Sequence, residues 1–434
     1  MAVEAQWSIL VFLNAKNDLE PFAFPNFEQM ASVGSTPHVN VVVQFGRPKH
    51  HHHGVPPDNA WSKTLRFHVR KGMHPTEDEA LEDLGALDMG DAKTLTDFVA
   101  WGRARFPAKR TMLVIWNHGQ GWRLRQAVRV TGDEATVRRH AELRAEIRRE
   151  AGVVTRGPTP LADDMRIPGG FRYVSNDDDT GNKLYNRAIQ DALSALLKGG
   201  RLDVIAFDAC LMAMVETAYA LRNVARVMVA SEELEPGNGW NYERWLRQLV
   251  DSQGDMDAAA LGRAMVKGFE DEYGDSDDTT QSAVDLSKIA DLGASLSRYA
   301  DTAMPLLTSQ GAAAFKAARM ACSNYAPGYG LNSIDLGRYM EQIAAQHADP
   351  ALRASAGDVG AKLKAAVIAN YASARRKGKY GSNGLAIYHP NSGVAYATDS
   401  DGEGYDAENR HFPVEFVEKE RWAAFLRKYW QLVP

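Results

Sequence analysis

Two short apolar runs that each stop at a reactive side chain constrain this chain more than any other feature of it. Residues 202–209 (Leu-Asp-Val-Ile-Ala-Phe-Asp-Ala) run into Cys210, and residues 110–117 (Arg-Thr-Met-Leu-Val-Ile-Trp-Asn) run into His118. Runs this short, continuous and rich in β-branched and aromatic residues read as strands buried on both faces, the form taken by a parallel sheet covered by helices. In such sheets ligands gather at the carboxyl ends of the strands. If the two strands are neighbours, an imidazole and a thiol emerge on one edge, which places a base beside a nucleophile.

The rest of the chain supports that sheet. Residues 7–13 and 39–45 read as further strands with a helix over 17–31 between them, and a helix over 91–105 leads into the His118 strand. Residues 62–70 alternate apolar and polar side chains, like half a hairpin added to the sheet. A helix over 183–197 precedes the Cys210 strand, a helix over 211–221 follows it, and then come a strand over 225–230 and a polar loop over 231–240. This β-α-β-α order implies a doubly wound, mainly parallel sheet. Residues 1–251 are therefore expected to form one α/β domain. Residues 252–434 read as mainly helical, with helices over 256–273, 287–307, 312–322 and 352–376, a strand over 280–286, and 384–390 returning a strand to the first sheet.

The formal net charge of −5 offers no broad basic field, which excludes nucleic acid as the main partner. The two cysteines, Cys210 and Cys322, make no disulfide framework, and Cys322 sits in an Ala/Met-rich helix as a packed thiol. Residues 1–6 carry neither a charged n-region nor an apolar h-region, and no run approaches the roughly 20 apolar residues of a membrane helix. No membrane association is expected, and the location is read as cytoplasmic, or as secreted or periplasmic if a leader has been trimmed. Oligomeric state stays open.

Three other features weigh less. His50, His51, His52 and His53 lie in a Pro/Gly-flanked loop, where adjacent histidines rarely converge on one ion. The clusters 177–179, 275–278 and 399–403 are acidic without the spacing of an EF-hand loop, so they read as solvated turns and no metal ligand is assigned. Residues 123–167 are crowded with arginine and broken by Gly157-Pro158-Thr159-Pro160, as an exposed insertion would be.

Four ordered blocks together resemble the clostripain family of cysteine peptidases, relatives of the caspases, gingipains and legumains. They are Trp116-Asn117-His118-Gly119 with Gly121-Trp122, Asp208-Ala209-Cys210-Leu211-Met212 with Glu216, Ala230-Ser231-Glu232 with Glu235-Pro236-Gly237-Asn238-Gly239-Trp240, and residues 384–390 (Gly-Leu-Ala-Ile-Tyr-His-Pro). The resemblance implies a caspase-like α/β/α sandwich followed by a mostly helical C-terminal region. It implies His118 as catalytic histidine and Cys210 as nucleophile, with the N–H groups of Gly119 and Cys210 as oxyanion donors. It also puts an acid, Asp208, in the pocket for the substrate's first side chain, where a carboxylate selects Arg, and less readily Lys.

Glu232, Glu233 and Glu235 are expected to add to that negative field, although Asp208 also reads as a cap on the following helix. The partner implied is a peptide or protein with a basic residue at the cleaved bond, and no cofactor is required. Some relatives need Ca2+. The separation of 92 positions from His118 to Cys210 leaves room for an insertion that the enzyme itself cuts after one of Arg123, Arg125, Arg138, Arg139, Arg148, Arg149 or Arg156. The rival readings are a non-catalytic binding module on the same fold and a metal-dependent hydrolase.

Overall fold

Alternate residues of the central strands fall into two separate apolar clusters, and this alternation sets the layering of the molecule. The computed structural model describes residues 4–51, 61–119, 175–274, 278–326, 331–399, 405 and 414–433. In strand β1 (Ala5–Asn14), Leu10 and Phe12 point to one cluster while Ile9, Val11 and Leu13 point to the other. Strand β6 (Leu202–Asp208) does the same with Ile205 and Phe207 against Val204 and Ala206. Both faces are thus removed from water, which is why these runs are continuous rather than alternating. Each fully buried Leu, Ile, Val or Phe contributes roughly 1.5–3 kcal/mol.

The remaining strands are β2 (Val39–Gly46), β3 (Thr64–His68), β4 (Glu82–Asp83), β5 (Ala108–Trp116), β7 (Ala225–Ala230), β8 (Thr280–Asp285), β9 (Ser333–Asp335), β10 (Val367–Ala372) and β11 (Ala386–Tyr388). The main sheet has the order β10-β8-β7-β6-β5-β1-β2-β3-β4. Its centre, β7-β6-β5-β1-β2, is parallel, and antiparallel strands extend both sides. One face is covered by the helices Ala92–Arg105, Asn186–Leu197 and Ile289–Ala303, through residues such as Phe98, Ile189 and Leu296. The other is covered by Glu20–Val33, Tyr242–Asp251 and Ala258–Tyr273, through Phe27, Trp245 and Phe269. This is the α/β/α sandwich implied above.

Four expectations are corrected. Residues 384–390 do not return a strand to the main sheet: β11 pairs antiparallel with β9 in a separate two-stranded sheet, and meets the Cys210 segment through one bridge, Met214 to Ala386. The places beyond β7 are already taken by β8 and β10, so the main sheet crosses the boundary expected near 252. The helix expected over 352–376 ends at Ala366, because Val367, Ile368 and Tyr371 supply β-branched and aromatic side chains to the open edge of β8. The helix expected from residue 211 starts at Val215. Residues 123–167, His52 and His53 lie outside the described residues. No described helix is long and apolar enough to cross a membrane.

Candidate active site

The register of β5 on β6 brings the two reactive side chains together. Trp116 is paired with Asp208, and His118 and Cys210 each lie two residues further on. Pairing continues to the rim, where the Asn117 N–H donates to the Asp208 carbonyl at 3.2 Å. His118 and Cys210 then line one cavity of about 230 Å³, together with Asp208, Glu235, Leu19 and Trp116.

Beyond Asp208 the chain leaves the sheet without entering a helix. Leu211 takes a φ of +63°, its N–H donates to the Glu233 carbonyl at 3.1 Å, and the Ala213 N–H donates to the Ser231 carbonyl at 2.9 Å. The 231–240 loop therefore holds the residues that follow the cysteine, and its Glu235 N–H reaches the Cys210 Sγ at 3.2 Å. Burial pushes the Cys210 thiol up to about 12; that N–H works in the opposite direction, while the charges of Glu235, Glu233 and Asp208 add to the rise. At neutral pH the sulfur keeps its proton until a base takes it.

Asp208 is buried, accepting the Tyr242 O–H at 2.9 Å and the Trp240 N–H at 3.3 Å, so it does not cap a helix. Gly239 has a φ of +61°, and a Cβ there would lie 2.8 Å from Asp208 Oδ1; only glycine lets the loop close over the carboxyl. The Glu235 carboxyl meets that of Asp208 and accepts the Trp240 Nε1–H at 3.4 Å. Burial raises both acids, Asp208 to about 6 and Glu235 well above the carboxylate range; the Asp208 charge raises Glu235 further, while the hydrogen bond from Glu235 works against the rise in Asp208. Two such neighbours hold one proton between them.

Glu232 does not join this pair, which corrects its expected place in the pocket. Its carboxyl is buried behind the loop, accepts the Gly384 N–H at 3.1 Å and lies against Asp335. Glu233 takes a third direction: it accepts the Ala326 N–H at 3.0 Å and pairs with Arg376 at 2.5 Å. The loop turns between these residues, so three acids within four positions have three different surroundings.

Two contributors carry no sequence signal of their own. Asp18 Oδ1 lies 2.6 Å from His118 Nε2. Asn26 holds the pocket from the other face of the sheet, accepting the Trp116 Nε1–H at 2.8 Å and donating to the Trp240 carbonyl at 3.1 Å. Cys322 is a buried thiol just past the helix Ala312–Met320, and it donates to the Ala318 carbonyl at 3.4 Å.

The 177–179 turn does not fit a calcium ion. The Lys16 ammonium lies 3.3 Å from Asp177 and 3.4 Å from Asp179, supplying the positive charge that a cation would bring. Asp278 pairs with Arg375 and Arg376, and Asp399 accepts from Asn332 and Tyr388. His51 pairs with Glu20 at 2.8 Å. Among the described residues no group of three or more His, Cys, Asp or Glu is placed to hold a metal.

A mainly parallel sheet of this order, covered on both faces and carrying a thiol and an imidazole on neighbouring strand ends, defines a caspase-like cysteine peptidase. The chain belongs to the Clostripain family, whose model matches residues 11–135 and 164–430. Curated protein sequences gave no significant match. Among solved structures, the chain is similar to a secreted C11 cysteine protease from Bacteroides thetaiotaomicron in complex with an irreversible peptide inhibitor. That likeness has a TM-score of 0.59 at 19% identity and covers 97% of this chain and 99% of that one. It is also similar to an inactive zymogen C11 protease from Parabacteroides distasonis, with a TM-score of 0.57 at 16% identity over 98% of this chain and 99% of that one. At these identities the likeness shows the fold.

Proposed function

We propose that this chain is an endopeptidase that cleaves after Arg, and less readily Lys, with Cys210 as nucleophile and His118 as its base. The observation that carries the reading is that Cys210, His118 and the Asp208–Glu235 pair line one cavity. A guanidinium entering the cavity displaces the proton shared by the two acids and pairs with both. As Cys210 Sγ attacks the carbonyl carbon, His118 takes the thiol proton, and the oxygen gains negative charge facing the Gly119 and Cys210 N–H groups. His118 returns the proton to the leaving amine as the C–N bond breaks, which leaves a thioester on Cys210. Water then loses a proton to His118 and attacks the thioester; the C–S bond breaks and the thiol is restored. Thiol and imidazole suffice for this sequence, so it calls for no cofactor.

The arginines of 123–167 are substrates for the same pocket, and the reading extends to maturation by self-cleavage in that segment; a similar protein is named as an inactive zymogen. The need for a reduced thiol at Cys210 favours a reducing compartment such as the cytoplasm.

Fluorogenic peptides ending in Arg, Lys, Asp or Leu, given to wild-type and Cys210→Ala protein with and without chelator, test the reading. Arg-selective turnover that is lost in Cys210→Ala and indifferent to chelator supports it. Absence of turnover on every peptide, even after nicking within 123–167, shifts the assignment to a binding module, and loss with chelator to a metal-dependent hydrolase. Self-cleavage is refuted if wild-type protein stays one band while peptide hydrolysis is already maximal.

A further inference from the structure

We infer that Asp18 is a positioning residue for the His118 ring and decides which of its nitrogens is the base, an inference that rests on the peptidase reading above. Asp18 Oδ1 lies 2.6 Å from His118 Nε2. An ionised carboxylate can only accept, so the proton of the neutral ring sits on Nε2 and the basic lone pair falls on Nδ1. The Cys210 proton then passes to Nδ1, and Asp18 stays bonded to Nε2–H through the whole cycle.

The contact is built from both sides. Strands β1 and β5 are parallel neighbours with Leu13 paired to Trp116, so the loops that follow them share one rim. In the loop after β1, both residues that precede Asp18 are fixed. The Lys16 ammonium is clamped by Asp177 and Asp179 and donates to the Leu87 carbonyl at 2.6 Å. Asn17 donates to the Asn176 carbonyl and side-chain oxygen, each at 3.1 Å, and accepts the Leu19 N–H at 2.9 Å. On the histidine side, the His118 N–H donates to Asn117 Oδ1 at 2.6 Å, and its carbonyl accepts the Ser175 N–H at 3.1 Å.

Asp18 is thus held in place by its neighbours although its own side chain is 63% exposed. An ion pair this exposed adds little to stability. What its placement does determine is the ring: a base oriented by a third group is the general pattern of an activated nucleophile.

The test measures kinetics and tautomer together. Asp18→Asn and Asp18→Glu are assayed on an Arg peptide, and the same substitutions in Cys210→Ala protein are examined by nitrogen-15 NMR of the neutral His118 ring. Asp18→Asn is expected to lower kcat about 10- to 100-fold, less than for a buried triad aspartate, with KM within about threefold. Asp18→Glu is expected to recover part of the loss, and the ring proton to move from Nε2 toward Nδ1 in Asp18→Asn. A kcat within twofold of wild type, a loss that falls on KM, or an unchanged tautomer overturns the inference. If the wild-type protein hydrolyses no peptide, the peptidase reading fails while the tautomer still decides the role of Asp18.

Discussion

Gly119 lies so close to Cys210 that a Cβ on it would sit 2.2 Å from the Cys210 carbonyl oxygen and 2.9 Å from its nitrogen. The obstacle is backbone on both counts, so no side-chain rearrangement relieves it. Gly119→Ala must push the histidine loop away from the cysteine loop and separate the two N–H groups assigned to the oxyanion. The expected result is a fall in kcat on Arg peptides of about 100-fold or more, the usual effect of losing one such donor. Activity within a few-fold of wild type would show that the loops are not held this tightly.

The acid pair makes the empty enzyme sensitive to pH. Asp208 is raised from 3.8 to about 6, chiefly by burial, so folding favours its protonated form. The stability this group lends is complete below about pH 4 and is lost as pH rises through about 6. A bound guanidinium needs the ionised form, so KM for Arg peptides should fall as pH rises through the same range. Asp208→Asn keeps an acceptor for Tyr242 and Trp240 and removes the charge. It is expected to raise the melting temperature at pH 7.5 by about 1–3 °C and to cut kcat/KM on Arg peptides by about 100-fold or more. Melting curves from pH 4 to 8 with paired Arg and Leu peptides check both; a lower melting temperature in the variant contradicts the buried-charge account.

The region after residue 252 holds the pocket loop in place. Glu233 and Arg376 are 1% and 5% exposed, and the Arg376 guanidinium lies over the Tyr380 ring at 4.1 Å. Removing one member of a buried pair strands the other, at a cost of about 3–5 kcal/mol. Arg376→Ala should therefore lower the melting temperature and slow peptide hydrolysis, because the Glu233 carbonyl holds the Leu211 N–H and Glu235 holds the Cys210 sulfur. Denaturant unfolding with kcat measured in parallel decides it. Unchanged stability would mean that the loop stands without its C-terminal support.

The strands that carry the site were legible because burial on both faces writes itself as continuous apolar runs, and β5 and β6 end where those runs end. Directions within loops are written nowhere so plainly. Glu232, Glu233 and Glu235 are alike in sequence, and only the turns between them send one to Asp335, one to Arg376 and one to Asp208. Asp18 follows a strand with no spacing that ties it to His118, 100 residues away. Strand β10 was hidden because the Ala-rich helix before it shares its apolar character, and the edge of β8 decides its conformation.

The central claim is that Cys210 attacks peptides whose basic side chain sits against Asp208 and Glu235. Irreversible peptide ketones ending in Arg or in Leu, followed by mass spectrometry of the labelled protein, test it most directly. The account predicts one adduct, on Cys210, formed more than about 100-fold faster with the Arg reagent, and with that preference lost in Asp208→Asn. Label on Cys322 or elsewhere, or equal rates for the two reagents, would contradict it.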